Sequence, residues 1–255
     1  MPGHKIIVVI GGNANHGKDT LADLLAERIP SSRRDAYANP LKVCVHLKTG
    51  IPMDILHGPA SVKNDVRFGR YEKSPRQLMQ EEGEEARQRI GKTIWMDRLL
   101  DRSVSEPERV SIVSDGRHPE EEFTQLRETL PENCLFFGVR VTRANEPILR
   151  GHVSEDRVAD APDSLFNFVA KNDGTLEDLA LTADQLADAI VLTAKHGRLS
   201  GWVIRCPDGR RLAEAIVSES NAKILAIQKM IPCAVCDGVD EHTIEAAVFD
   251  RIVQP

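Results

Sequence analysis

The stretch Gly12-Asn13-Ala14-Asn15-His16-Gly17-Lys18-Asp19-Thr20 most constrains what this chain folds into. It follows Lys5-Ile6-Ile7-Val8-Val9-Ile10, an apolar run that reads as a buried strand, and precedes Thr20-Leu21-Ala22-Asp23-Leu24-Leu25, which reads as a helix. Strand, glycine loop, lysine and helix in that order cradle the phosphates of a nucleotide, because loop N–H groups and a helix N-terminus together make an anion site. The residue after the lysine, ordinarily Ser or Thr for magnesium, is Asp19, and Thr20 comes one place later. That order narrows the reading from nucleotide hydrolases in general towards small-molecule kinases.

The rest of the chain alternates strands and helices. Leu21, Leu24, Leu25 and Ile29 form one apolar stripe, and Pro30 stops the first helix. Tyr37 to Lys42 reads as a short strand turning into a helix, and Lys63 to Lys73 as a polar surface stretch. Ser74-Pro75-Arg76-Gln77 carries a capping box with proline at the first helical position, and the helix runs towards Gly91. On it Arg76, Gln80, Gly83 and Arg87 share a face, beside an apolar stripe of Met79, Ala86 and Ile90. Val110 to Ser114 reads as a buried strand ending at Asp115. Pro119 opens a helix with Glu120, Glu121 and Glu122 in its first turn, matching the positive end of the macrodipole. Leu135 to Val141 is a further strand ending at Thr142-Arg143, residues 144–162 read as a loop, and Phe166 to Ala170 as the last core strand. Thr175 to Asp178 caps a helix continued by Leu179, Leu186 and Ile190.

This alternation predicts an α/β fold, a parallel sheet flanked by helices on both faces, over residues 1–195. In such a sheet ligands bind at the C-terminal strand ends. Here those ends carry the glycine loop, Asp115-Gly116-Arg117 and Thr142-Arg143. Residues 196–255 break the pattern. Trp202 to Cys206, a Pro207-Asp208-Gly209 turn and Arg210 to Val217 predict a hairpin within a small C-terminal α+β appendage.

Composition bears on partners and compartment. The formal net charge of -6 argues against a partner held by a polyanion's phosphates, so nucleic acid is not expected. Cys44, Cys134, Cys206, Cys233 and Cys236 are odd in number and irregular in spacing, which argues against a disulfide framework and for a reducing compartment. No run reaches the ~18 apolar residues of a membrane span. The first apolar run is short and enters the glycine loop without a signal-peptide pattern. The expectation is a cytoplasmic protein. Cys233 and Cys236 form a lone CxxC with only His242 near, whereas a structural zinc site takes about four ligands.

The candidate chemistry divides around two phosphate-bearing molecules. Lys18 would bridge the β- and γ-phosphates, and Thr20 would donate its hydroxyl. Asp19 either orients magnesium through water or caps helix N–H groups. Asp115 holds the metal or its waters, or else is a turn aspartate. Arg76, Arg117 and Arg143 lie at helix starts or strand ends facing the predicted crevice, where arginine gives bidentate phosphate contacts. Trp95 either walls a base or packs in the core. His152 either contacts phosphate from a lid over 144–162 or is a plain loop histidine.

Taken together, Gly17-Lys18-Asp19-Thr20, Pro40-Leu41-Lys42, Arg76-Gln77-Leu78-Met79-Gln80 with Gly83, Trp95, Asp115-x-Arg117 with Glu121, Val141-Thr142-Arg143, His152-x-Ser154-Glu155 and Asn172-Asp173-Gly174-Thr175-Leu176-Glu177 resemble, in order, the phage deoxynucleoside monophosphate kinases of the T-even type. The resemblance covers roughly residues 5–190; Asn13 to His16 lack the basic or small residues common there, and the appendage has no counterpart. It implies a P-loop kinase core, often dimeric, that transfers the ATP γ-phosphate to a deoxynucleoside monophosphate. It implies ATP bound by Gly12, Asn15, Gly17, Lys18, Asp19 and Thr20, with Gly83, Asn172 and Asp173 on the cofactor side. It implies an acceptor site lined by Leu41, Lys42, Arg76, Gln80, Trp95, Arg117, Glu121 and His152. Magnesium would lie by Asp115 and Asp19, and Arg143 would belong to the lid side. Two other readings remain: a kinase for a hydroxymethylated base in DNA, and a non-catalytic nucleotide-binding module. The acidic charge disfavours the first, and the second phosphate site disfavours the second.

Overall fold

A computed structural model describes residues 4–144, 146–148, 153–196, 200–205, 211–216 and 243–248. In chain order the elements begin β1 (Lys5–Gly11), α1 (Lys18–Arg28), β2 (Ser32–Asp35), α2 (Ala38–Thr49), α3 (Met53–His57), α4 (Ala60–Lys63), α5 (Pro75–Arg89) and α6 (Ile94–Ser105). They continue β3 (Val110–Gly116), α7 (Pro119–Thr129), β4 (Cys134–Thr142), α8 (Val153–Asp160), β5 (Phe168–Lys171), α9 (Leu176–His196), β6 (Ser200–Arg205), β7 (Arg211–Ile216) and β8 (Thr243–Val248). Two compact units result, one of Met1–Arg34 with Glu106–Pro255 and one of Asp35–Ser105.

The first unit is built on a five-stranded parallel sheet in the order β2-β3-β1-β4-β5. The α/β expectation is met. Residues alternate between its faces, as the two-residue period of a strand requires. Ile6, Val8 and Ile10 of β1 join Val110 and Ile112 of β3, Phe137, Val139 and Val141 of β4, and Phe168 and Ala170 of β5 in one core. That core is closed by Leu21 and Leu25 of α1 and by Leu179, Ala183, Leu186 and Ile190 of α9. The opposite face packs on α7. Phe123 sits 4.7 Å from Phe136 and 5.1 Å, edge-on, from Phe166, between ring centroids. Gly138 makes room for this cluster, since a Cβ there would meet Phe136 at 3.0 Å and Phe123 at 3.1 Å.

The strand order reverses about β1. The chain goes first to β2 and β3 on one side, then to β4 and β5 on the other. This is a topological switch point, where loops leave the strand ends in opposite directions and open a crevice. The glycine loop leaves β1 there.

The loop expected over 144–162 contains α8. Its polar surface hid it. Val158 is buried, as is Ala161 just past the helix end, and long-range partners hold the element in place. Arg140 on β4 donates to the carbonyls of Val158 (3.3 Å), Ala159 (3.2 Å) and Ala161, closing the helix C-terminus. Arg157 donates to Glu121 of α7 at 2.8 Å. The hairpin expected after residue 196 forms as antiparallel β6 and β7, with β8 on the other edge of β6. His152, Cys206, Cys233, Cys236 and His242 lie outside the described residues.

The second unit is helical. The strand expected near Tyr37 comes earlier, as β2, and helix begins at Ala38. Asp35 fixes this turn. Its buried carboxylate accepts from Arg102 (3.0 Å), Asn39 (2.9 Å) and the Ala36 N–H (2.7 Å). Val45, Ile51 and Leu56 form a small core with Met53, Ile55, Leu78 and Met79. The Ser74–Gln77 capping box is present in both directions. The apolar stripe on α5 stops at Ala86. Ile90 is exposed, because the helix ends at Arg89 and Gly91 turns the chain with φ of +157°.

Phe123→Ala empties the centre of the aromatic cluster, and Phe123 is fully buried. We expect a loss of about 3–5 kcal/mol. Urea unfolding followed by circular dichroism checks it, and a loss below about 1 kcal/mol would show that the cluster does not hold α7 to the sheet.

Candidate functional site

A bare backbone forms the site. α1 has no side-chain N-cap. Gly17 occupies that position in the left-handed conformation, with φ of +95°. The N–H groups of the first helical turn have no partner within the helix and are directed outward. A Cβ on Gly17 would stand 2.4 Å from Asn172 Nδ2, and one on Gly12, at φ +151°, would stand 2.5 Å from the Val141 carbonyl. Both glycines are therefore required by space as well as by φ. Asn15 also adopts a positive φ, 65°, which asparagine tolerates better than most residues.

Asn172 anchors the loop from β5. Its Nδ2 donates to the His16 carbonyl at 3.0 Å, and its own N–H donates to the Thr142 carbonyl at 2.8 Å. Asp173 works next door, accepting the Ala144 N–H at 2.6 Å. Lys18 bends back over the loop, donating to the Asn13 carbonyl at 2.6 Å. A cleft of about 440 Å³ opens beside these groups. Asn15, Gly17, Lys18, Asp19, Thr20 and Arg143 line one part of it. Asn172, Gly174, Thr175, Leu176 and Leu179 line the other. The capping box at α9 is real: Thr175 N–H donates to Asp178 at 2.8 Å, and Asp178 N–H donates to Thr175 Oγ1 at 3.2 Å.

The first part of the cleft is cationic and rich in N–H donors. The second includes Leu176, 60% exposed in spite of its apolar side chain. Leu176 and Thr175 went unnoticed as site residues because in the sequence they read only as a helix start.

His16 is buried behind the loop, and neither ring nitrogen makes a hydrogen bond among the described residues. Burial of the ring lowers its pKa. The Lys18 ammonium lowers it further, while the Val141 carbonyl and Glu146 pull the other way. The net effect favours the neutral ring.

Asp19 does not point alone into solvent. Its Oδ1 accepts from Arg34 at 3.2 Å and from the Ser114 hydroxyl at 2.5 Å. Asp115 lies within β3, which runs on to Gly116, and the Arg117 N–H donates to the buried Glu122 at 3.2 Å. Glu121 pairs with Arg157, which also lies 3.0 Å from His118.

The other candidates belong to the helical unit. Trp95 is half-buried and donates its indole N–H to the Gly83 carbonyl at 3.2 Å. A Cβ on Gly83 would lie 3.8 Å from Leu41 and 4.0 Å from Trp95. Gly83, expected on the cofactor side, thus packs with two residues expected on the acceptor side. Lys42 Nζ lies 3.1 Å from His57 Nδ1. Burial lowers the His57 pKa, and the charges of Lys42 and Lys63 lower it further. Arg76 is half-buried, with a buried Nε that makes no hydrogen bond among the described residues. Gln80 is exposed on α5.

No family model and no curated protein matches this chain. Among solved structures it is similar to the tunicamycin resistance protein of Deinococcus radiodurans, at 15% identity and a TM-score of 0.40. That likeness covers 73% of this chain and 95% of the other. A likeness so distant says nothing of substrate or reaction.

Two outcomes follow from this geometry. Gly17→Ala meets both a positive φ and the Asn172 amide, so it should lower the thermal midpoint by several degrees, measured by calorimetry. The His16 pKa is lowered from 6.5, so the unfolded chain binds the proton more readily than the folded one. Stability is therefore lost as pH falls through and below about 6.5. Thermal melts from about pH 7 to 5 should show a steeper decline in the wild type than in His16→Gln; equal slopes would remove His16 as the cause.

Proposed function

We propose that the chain is an ATP- and magnesium-dependent kinase that phosphorylates deoxynucleoside monophosphates to diphosphates. The observation that carries this reading is the left-handed Gly17 at the head of α1, followed by Lys18, at the end of the central strand of a parallel sheet. That arrangement presents N–H groups and an ammonium to a polyphosphate at the switch point.

The residues present suit the groups this reading needs. The loop backbone is bare at Gly12 and Gly17, where side chains would collide with the protein itself. A triphosphate would lie along Gly12 to Thr20, with Lys18 and Arg143 neutralising its charge. The part of the cleft lined by Asn172, Leu176 and Leu179 supplies apolar surface and one amide for a base. Among the described residues, no three carboxylate, histidine or cysteine side chains converge as a metal cage. Magnesium would then be held through water and phosphate, with Asp115, Asp19 and Thr20 as the nearby oxygen donors. When bound, the metal supplies charge neutralisation on the transferring phosphoryl group.

The acceptor side rests on the ordered resemblance and on residue chemistry. Arg76 keeps a buried donor that makes no hydrogen bond among the described residues, which suits a residue that engages an anion. Lys42 and Arg117 add cationic donors. Leu41 and Trp95 offer apolar walls, and Gln80, Glu121 and His152 offer polar contacts to a base or sugar. An acceptor phosphate oxygen attacks the γ-phosphorus in line. A P–O bond forms there as the bond to the β–γ bridging oxygen breaks, and ADP leaves with the electron pair. The attacking oxygen is already anionic, so no strong general base is needed. Catalysis is positioning plus charge neutralisation. α8, in the stretch 144–162, would cover the reaction and exclude water.

A coupled assay with ATP, magnesium and a panel of deoxy- and ribonucleoside monophosphates tests the reading. We expect transfer to at least one deoxynucleoside monophosphate, and a fall in kcat of about 100-fold or more in Lys18→Ala with an unchanged thermal midpoint. ATP binding without transfer to any monophosphate would sink it.

A further inference from the structure

Asp19 is where the loop departs from the usual lysine-then-hydroxyl order, and the fold surrounds that carboxylate with donors. Arg34, near the end of β2, reaches the first turn of α1 with both ends of its guanidinium. Nη1 donates to the Asp19 carbonyl at 3.0 Å and to the Asp23 carboxylate. Nη2 donates to Asp19 Oδ1 at 3.2 Å and to Ser114 Oγ at 2.9 Å. Ser114, on β3, donates its hydroxyl to the same Oδ1 at 2.5 Å. Two strands thus converge on one carboxylate oxygen.

The Asp19 side chain is 81% exposed and that of Arg34 30% exposed, so the pair sits at the edge of solvent, where an ion pair adds little to folding. Its effect falls on what binds nearby. A carboxylate in the first helical turn sits well with the macrodipole, but the same turn is where a polyphosphate would be held, and like charges repel. A serine or threonine at this position would bring no such penalty.

We infer that Arg34 is a positioning residue for nucleotide binding: with Ser114 it holds the Asp19 carboxylate and offsets the negative charge of this turn, so that the N-terminus of α1 keeps its attraction for phosphate. This rests on the nucleotide site proposed above. The pairing also explains how the lysine-aspartate-threonine order is compatible with anion binding. The counter-charge comes from β2, some fifteen residues downstream, and no local sequence pattern announces it.

Calorimetric titration of ATP, ADP and AMP against the full chain and its R34M, D19S and R34M/D19S variants tests this. EDTA is present, so that no metal links carboxylate to phosphate. We expect R34M to weaken ATP binding about tenfold, the effect of one uncompensated charge several ångströms from a polyanion, and to weaken ADP and AMP progressively less. Adding D19S to R34M should recover ATP affinity to within about threefold of the wild type. R34K, which keeps the charge, should bind ATP nearly as the wild type does, and R34Q replaces R34M as the neutral variant if R34M does not fold. Equal losses for the three nucleotides, or the same R34M loss with and without D19S, would overturn the inference, since a residue that merely supports the fold gives that result. Wild-type binding of ATP with unchanged affinity in R34M overturns the inference alone. No ATP binding by the wild type overturns the functional reading and this inference with it.

Discussion

The candidate site depends on one close approach, that of the Asn172 side chain to the backbone at Gly17. The amide of Asn172 reaches the His16 carbonyl across the space a Cβ would fill. It thereby ties the end of β5 to the loop that leaves β1. Everything that follows the contact is oriented by it: the left-handed turn at Gly17, the direction of α1 and the placement of Lys18 over the loop. A loop of backbone N–H groups, such as the proposed phosphate site, has no side chains to adjust, so its geometry must be fixed from outside. Asn172 supplies that constraint, and Asp173 extends it by holding the backbone just after β4.

The parallel sheet makes this constraint possible. Both faces are covered, by α1 and α9 on one side and by the aromatic cluster on α7 on the other. Parallel strands need such double cover, and it fixes the strands whose ends carry the site loops. With β1 at the point where the strand order reverses, the loops after β1, β4 and β5 are brought together at one end of the sheet. Gly12, Arg143 and Asn172 are far apart in the chain and near one another for this reason.

Charge is managed locally. Asp19 is matched by Arg34, Glu121 by Arg157, and the buried Asp35 by Arg102. The last is the most demanding, because an unpaired carboxylate in that position would carry a large desolvation cost. It also accepts an asparagine amide and a backbone N–H, which leaves its oxygens well satisfied. The first two lie nearer solvent, and the second ties α8 to α7.

The sequence by itself determined the parts governed by neighbours in the chain. The apolar run of β1, the stripe on α1, the capping boxes at Ser74 and Thr175 and the acidic first turn of α7 are all local patterns, and each was legible. The α/β class followed from their alternation, and Gly17, Lys18 and Arg143 were legible as site candidates from their places at strand ends and helix starts, while Asn172 came only through the family resemblance. Tertiary structure alone decided the rest. α8 reads as a loop because its support comes from Arg140 on β4 and Glu121 on α7, neither of which its own periodicity can register. The exposure of Ile90 depended on where α5 stops, a matter of the turn at Gly91. Leu176 became a cleft wall only because α9 begins beside the glycine loop. The partner of Asp19 was the least legible of all: Arg34 and Ser114 reach it by way of strand order, and strand order is set by which faces bury the most apolar surface, a property of the whole sheet and of no segment within it.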